Sequence, residues 1–163
     1  MRRLVKLARA DVMRGSLDLV HIPVAPVLAD VAARYRARDM DVHVTGAAGS
    51  VRLPPDALDA LLTSLLENAA MHAPGAQVSL SVEQDDGILR IVIADTGRGI
   101  PPEHRLHAFE PFYTKGRTAG GTGLGLPIVR AIAAGACGTV MILPNQPGTT
   151  VVVTLPDAGF ELP

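Results

Sequence analysis

The stretch GGTGLGLPIV, residues 120–129, places four glycines within six residues and continues with apolar residues at helical spacing. Glycine lets the backbone approach a ligand closely and adopt positive φ angles. A glycine-rich turn that begins a helix presents free N–H groups, and this arrangement suits a phosphate. No GK[ST] sequence follows, so the stretch is not a P-loop. Because glycine turns are common, its meaning depends on the rest of the chain.

Size and composition describe one globular domain. The chain has 163 residues, of which 48% are hydrophobic and only 3% aromatic, so its core must be mainly aliphatic. Its 15 basic and 16 acidic residues argue against a nucleic-acid partner. The single cysteine, Cys137, and the lack of a secretory signal favour a cytoplasmic location. No apolar run is long enough to span a bilayer, so we expect no membrane contact here, although a longer parent protein could carry an anchor.

Hydrophobic periodicity predicts a mixed order of helices and strands. The order is not a strict βαβ repetition, which favours an α+β two-layer sandwich. We expect Asp85-Asp86-Gly87 to close a hairpin and Cys137 to be a small buried hydrophobe. Helices are predicted over 2–13, 23–38, 55–73 and 124–134, strands over 17–20, 41–45, 78–82, 88–94, 139–143 and 149–155, a turn over 46–50, and a long polar loop over 95–122.

The predicted helix over 55–73 carries a polar face beside its leucine stripe. Ser64, Asn68, Met71 and His72 fall at i, i+4, i+7 and i+8, with Glu67 beside them. Amide and carboxylate oxygens are ligands that Mg²⁺ prefers, and Mg²⁺ needs only one or two protein ligands when phosphates supply the others. This face could hold such an ion, or it could be an ordinary solvated surface.

Asp95 ends an apolar strand and begins the sequence DTGRGIP. An ionised carboxylate only accepts hydrogen bonds, so Asp95 can accept one from the exocyclic amine of adenine, whereas a guanine carbonyl would oppose it. Gly97 and Gly99 would allow close backbone approach. The alternative is a turn that binds nothing.

Two phenylalanines, Phe109 and Phe112, lie in the long polar loop that follows. They could anchor a movable lid to the body of the domain, with Lys115 and Arg117 reaching terminal phosphates. They could equally form a small satellite core beneath the loop, and the two interpretations are compatible.

Four motifs together resemble the catalytic and ATP-binding domain of two-component sensor histidine kinases. They occur in that family's order and with similar spacing, over roughly residues 60 to 130. A Gly148-Thr149 pair before the last predicted strand resembles the family's final Gly-Thr element. The sequence Glu67-Asn68-Ala69 is similar to the N box, 95–101 to the G1 box, 109–112 to the F box and 121–126 to the G2 box.

This resemblance implies the Bergerat-type fold shared with gyrase-like ATPases. That fold is a two-layer α/β sandwich, in which a mixed sheet of about five strands is covered on one face by three helices. It also implies that residues 1–14 are the end of a dimerisation helix or a linker, and that 15–163 form the catalytic domain.

The resemblance further implies ATP and Mg²⁺ as cofactors. Asn68 would bind Mg²⁺, and Glu67 would orient or deprotonate a nucleophile, so both would be catalytic. Asp95 would bind adenine. The other cofactor-binding residues implied are His72, Gly97, Gly99, Lys115, Gly121, Thr122, Gly123, Leu124, Gly125, Leu126 and Thr149.

The reaction implied is transfer of the ATP γ-phosphate to a histidine, in signalling to a response regulator. None of the chain's five histidines lies in the context of an acceptor, so we expect the acceptor on a dimerisation domain elsewhere in the same homodimeric protein. Met71 stands where the family often has a phosphate-contacting Lys or Arg, which leaves open a regulatory module that binds nucleotide without transfer. A stand-alone ATPase of the gyrase type is less expected, because no transducer domain follows.

Overall fold

The computed structural model describes residues 18–113, 122–143 and 147–159. The helix predicted over 2–13, and with it the proposed linker 1–14, lies outside the described residues. In chain order the elements are β1 (Val20–Pro23), α1 (Val24–Arg36), β2 (Val42–Ala47), β3 (Ser50–Leu53), α2 (Ala57–His72), β4 (Val78–Asp85), β5 (Ile88–Asp95), α3 (Pro102–Arg105), α4 (Gly125–Gly135), β6 (Thr139–Leu143) and β7 (Thr149–Pro156).

The main sheet has five strands in the order β2-β4-β5-β7-β6. The edge pair β2–β4 is parallel and the other pairs are antiparallel, so the predicted mixed sheet is confirmed. The predicted β4–β5 hairpin is also confirmed, with Asp85 opposite Ile88. In this register β5 lies at the centre, between β4 and β7.

Side chains alternate across the sheet between an apolar and a more polar face. Leu80, Ile91 and Val153 point to the apolar face and are fully buried, whereas Arg90, next to Ile91 in β5, is exposed. Helices α1, α2 and α4 contribute their apolar stripes to the same core. The result is the predicted two-layer α+β sandwich. Among the described helices, none is long and apolar enough to cross a membrane.

Several boundaries differ from the sequence-based prediction. The strand predicted over 17–20 is found at Val20–Pro23, and it pairs with β3, a strand that the pattern missed. The predicted turn over 46–50 was therefore too long, since β2 extends to Ala47 and β3 begins at Ser50. The polar loop contains α3, so the described residues include four helices rather than three. The strands β1 and β3 and the helix α3 are each four residues long, which is too short to show a periodic hydrophobic pattern.

The prediction that Cys137 is buried was wrong: its side chain is exposed, and its φ angle is 57°. Its N–H donates to the carbonyl of Ala134 at 3.1 Å, and the N–H of Gly138 donates to that of Ala133 at 2.8 Å. This is the Schellman arrangement that ends α4, in which the left-handed position usually holds glycine. Geometry at the helix end, not hydrophobicity, therefore determines the environment of Cys137.

We expect Cys137→Gly to stabilise the domain by about 0.5–1 kcal/mol, because it relieves the left-handed strain at a modest entropic cost. Urea unfolding measures this change. Cys137→Ala is the matched control, since it removes the thiol but keeps the Cβ atom that causes the strain. An equal gain in both variants would contradict the backbone explanation.

Candidate functional site

Asp95 is the last residue of the central strand β5, and its neighbours across the sheet are Val78 in β4 and Thr149 in β7. Its Oδ1 atom accepts hydrogen bonds from the N–H of Gly97 at 2.8 Å and of Thr149 at 3.3 Å. Within the part of the chain that the structure describes, Oδ2 has no such partner. One oxygen therefore holds the carboxylate in place, and the other is available to an external donor.

The turn after Asp95 packs against the C-terminal end of α2. A Cβ atom on Gly97 would collide with the Cβ of Ala73, the residue that follows α2, so only glycine permits this approach. Thr96 secures the turn, because its N–H donates to the carbonyl of Gln77 and its Oγ1 accepts from the N–H of Gln77, both at 3.1 Å. Asp95 and the end of α2 are thus held side by side.

The N-terminal end of α4 approaches the middle of α2. A Cβ atom built on Gly125 would lie 3.5 Å from the carbonyl oxygen of Ser64. Leu126 and Val129 are buried in the core and hold α4 in this position. The first N–H groups of α4 therefore begin beside the polar face of α2.

Asn68 lies between these two contacts. It follows Ser64 by four residues, so the two side chains share one face of α2. The contacts at Ser64 and Ala73 are separated by about 14 Å along the axis at the usual helical rise. Asn68 is half-buried in that interval. The structure thus brings together Asn68, Asp95 and the start of α4, which the sequence places in three separate segments.

Glu67 is exposed, and its position on α2 is rotated by about 100° from that of Asn68. On this side α2 meets α1, where Tyr35 is only 4% exposed. The Tyr35 hydroxyl donates a hydrogen bond to the carbonyl oxygen of Thr63 at 3.2 Å, one turn before Glu67. The spacing of Tyr35 after Val31 predicts burial, but no sequence signal indicates where its hydroxyl points.

The pKa of Tyr35 is raised to about 12, and burial of the phenol is the largest cause. The nearby carboxylate of Glu67 contributes to this raised pKa, whereas the positive charges of Arg38 and Arg34 oppose it. The phenol of Tyr35 is therefore neutral at physiological pH and keeps its proton as a hydrogen-bond donor.

Arginines complete the contact between α1 and α2. Arg34 pairs with Asp59 in the first turn of α2 and with Asp30 at 3.3 Å. The guanidinium carbon of Arg38 lies 5.2 Å from the centre of the Tyr35 ring, in cation–π contact. A polar seam thus runs along α2 from Asp59 to Glu67.

The phenylalanine pair behaves differently at its two positions. Phe109 is half-buried against the core, and the Arg130 guanidinium carbon lies 6.0 Å from its ring centre. Phe112 is 69% exposed, so the expectation that both rings are anchors holds only for Phe109. The N–H of Phe112 donates to the carbonyl of Gly123 at 2.9 Å, and Gly123 has a φ angle of 64°. The backbone at Phe112, inside the polar loop, is therefore joined to the segment that leads into α4.

The other predicted site residues are distributed unevenly. His72 and Met71 are exposed at the end of α2, and Thr122 is exposed beside the loop. Thr149 is 8% exposed and donates its N–H to Asp95. Lys115, Arg117 and Gly121 lie outside the described residues. Gly99, Gly123, Leu124 and Gly125 are half-buried along the two glycine-containing segments.

Comparison with known proteins gives consistent matches. The model of the histidine kinase-, DNA gyrase B- and HSP90-like ATPase family matches residues 54–159. The sensor protein IrlS of Burkholderia pseudomallei is 37% identical over 144 residues, which cover 81% of this chain and 31% of IrlS.

The fold of this chain is similar to that of two solved structures. The mycobacterial sensor histidine kinase MprB has a TM-score of 0.76 at 30% identity, covering 85% of this chain and 97% of that one. Full-length ShkA in complex with AMPPNP has a TM-score of 0.78 at 25% identity, covering 98% of this chain and 36% of that one. The chain spans between 29% and 39% of the length of the first curated relatives that it matches.

We expect Glu67→Gln to lower the pKa of Tyr35 while leaving it above the ordinary value of 10.0, because the charge of Glu67 is removed and the burial remains. Ultraviolet titration of the phenolate measures this pKa, and Tyr113→Phe identifies the Tyr35 signal, since the chain has 2 tyrosines. A raised folded-state pKa stabilises the fold below pH 10, and this stability is lost as the pH rises toward 12. An unchanged pKa in Glu67→Gln would show that the two side chains do not interact.

Proposed function

Because this chain belongs to the histidine kinase-, DNA gyrase B- and HSP90-like ATPase family, as the ATP-binding catalytic domain of a sensor histidine kinase, we propose that it binds Mg-ATP beside α2 and transfers the γ-phosphoryl group to a histidine. One observation carries the proposal: α2 contacts the turn after Asp95 at one end and the start of α4 at Ser64, with Asn68 between them. One space is then bordered by three groups: the carboxylate of Asp95 for the base, the amide oxygen of Asn68 for the metal ion, and the first backbone N–H groups of α4 for the phosphates.

Asp95 would select adenine. Oδ1 is occupied by the N–H groups of Gly97 and Thr149, so Oδ2 would accept a hydrogen bond from the exocyclic amine. A guanine carbonyl there would place acceptor against acceptor. The rigid end of a central strand suits this role, because small displacements would weaken the hydrogen bond.

Asn68 would supply its amide oxygen to Mg²⁺, and the residues present fit this ion, since Mg²⁺ takes few protein ligands when phosphates supply others. The N–H groups of Gly125 and Leu126 begin α4 and would face the phosphates. The bound nucleotide supplies the γ-phosphoryl group, and positioning with charge neutralisation provides most of the catalysis in such transfers. Glu67 would orient the attacking histidine or accept its proton.

The partners follow from this reaction. The acceptor histidine would belong to a dimerisation domain of the same full-length protein, acting as a homodimer, and the phosphoryl group would pass to a response regulator. We further propose that residues 1–14 connect the domain to that dimerisation helix and that 15–163 form the catalytic unit. The AMPPNP complex of ShkA, whose fold this chain shares, supports a nucleotide site. The cytoplasmic location stays a prediction.

Met71 favours a second candidate function, a module that binds nucleotide and regulates a partner without transfer. Its side chain is 42% exposed at the end of α2, one turn beyond Asn68, where a cation could reach a phosphate. A thioether cannot neutralise phosphate charge. His72 is exposed next to it and would be a candidate substitute, as would Lys115, which lies outside the described residues.

We expect Asp95→Asn to weaken ATP binding about 100-fold, measured by calorimetry. The Asn oxygen must still accept the N–H groups of Gly97 and Thr149, so its NH₂ group would oppose the adenine amine. The preference of the variant for ATP over GTP should fall together with its ATP affinity. Its thermal unfolding should remain a cooperative transition like that of the original domain. Unchanged ATP affinity in a folded variant would show that Asp95 does not bind the base.

We expect the chain to label the histidine of a dimerisation domain when it is supplied with radiolabelled ATP and Mg²⁺. Met71→Lys should raise the transfer rate severalfold, because the new cation stabilises charge on the transferred phosphoryl group. Met71→Leu is the matched control and should leave the rate unchanged. Nucleotide binding without any label in either the original chain or Met71→Lys would favour the regulatory module.

A further inference from the structure

We propose that Tyr35 is a positioning residue, whose hydroxyl group holds the carboxylate of Glu67 for the phosphoryl-transfer step. This inference rests on the proposed function, in which Glu67 orients the acceptor histidine. The residues belong to different helices, α1 and α2, and nothing in the sequence pattern around either of them connects the two.

The position of the Tyr35 hydroxyl supports this role. It lies 3.2 Å from the carbonyl oxygen of Thr63. In an α-helix that carbonyl already accepts the N–H of the residue four positions later, which is Glu67. The structure directs the Tyr35 hydroxyl proton to Thr63, but that carbonyl keeps its helical partner when the hydroxyl rotates. The proton can then be donated to the Glu67 carboxylate, which lies on the same stripe of α2.

Burial makes the hydroxyl a fixed reference point. The Tyr35 side chain is 4% exposed, its ring packs in the core, and the Arg38 guanidinium covers it from outside. A buried tyrosine hydroxyl needs a partner, and a fixed ring presents it at one place only. Glu67 is exposed and has three rotatable side-chain bonds, so a single fixed donor would restrict it strongly.

The charges around Glu67 explain why a neutral donor is suitable. Arg34, one of the arginines on the seam, is already paired with Asp30 and Asp59. Among the ion pairs of the described residues, none includes Glu67. A salt bridge would hold the carboxylate by neutralising it, whereas a hydroxyl donor orients it and leaves its negative charge available to an incoming imidazole.

The test compares Tyr35→Phe, Glu67→Gln and the double variant. It measures ATP affinity by calorimetry and transfer to a dimerisation domain at saturating ATP. We expect Tyr35→Phe to slow transfer about tenfold with unchanged ATP affinity, since only the reacting arrangement is disturbed. In the Glu67→Gln background Tyr35→Phe should have no further effect, because the group it positions is gone. Thr63→Val, on the same stripe, is the matched control and should transfer at the original rate.

Each other outcome overturns a definite statement. If Tyr35→Phe slows transfer equally with and without the Glu67 carboxylate, its role is structural and the inference is wrong. If Glu67→Gln slows transfer but Tyr35→Phe does not, the inference is wrong and the proposed function stands. If Glu67→Gln transfers normally, the role proposed for Glu67 fails, and the inference fails with it.

Discussion

The leucine stripe of α2 packs into the core between α1 and α4, and this packing sets the direction of every polar side chain on the same helix. With the stripe fixed, a rotation of about 100° per residue turns Glu67 toward α1 and Asn68 toward α4. Two adjacent residues thus face different neighbours and can serve different functions. A change in the orientation of α2 would misplace both at once. The buried members of the stripe are Leu58, Leu61, Leu62, Leu65, Leu66 and Ala69.

The three parts of the proposed site stand on three different kinds of structural element. Asp95 ends the central strand of the sheet and is hydrogen-bonded to two backbone N–H groups. Asn68 is on a helix that is buried along one side. The backbone N–H groups proposed to bind phosphate stand where the polar loop enters α4, next to the hydrogen bond between Phe112 and Gly123. The proposed base-binding residue therefore stands on a central strand, and the proposed phosphate-binding amides stand where a loop meets a helix.

Periodic patterns predicted the long elements well and the short ones poorly. The helix α2 and the β4–β5 hairpin were confirmed, because a long apolar stripe or two alternating strands around a turn leave few other structures. The strand β3 was missed, since its four residues become a strand only by pairing with β1. Cys137 and Phe112 were misjudged for a related reason: both have positive φ angles, 57° and 66°, which are set by how a segment ends and not by hydrophobicity.

The sequence by itself determined the types of the longer elements, the order of the four motifs and the family, because these depend on residues that are close along the chain. It also predicted roles for Asp95 and Asn68, since their motifs are local. Only the tertiary structure decided that Thr149 supports Asp95 from 54 residues away, and that Tyr35 reaches Thr63 from 28 residues away. Such contacts depend on how helices and strands pack in three dimensions, and local spacing carries no record of which distant side chain a hydroxyl or an amide will meet.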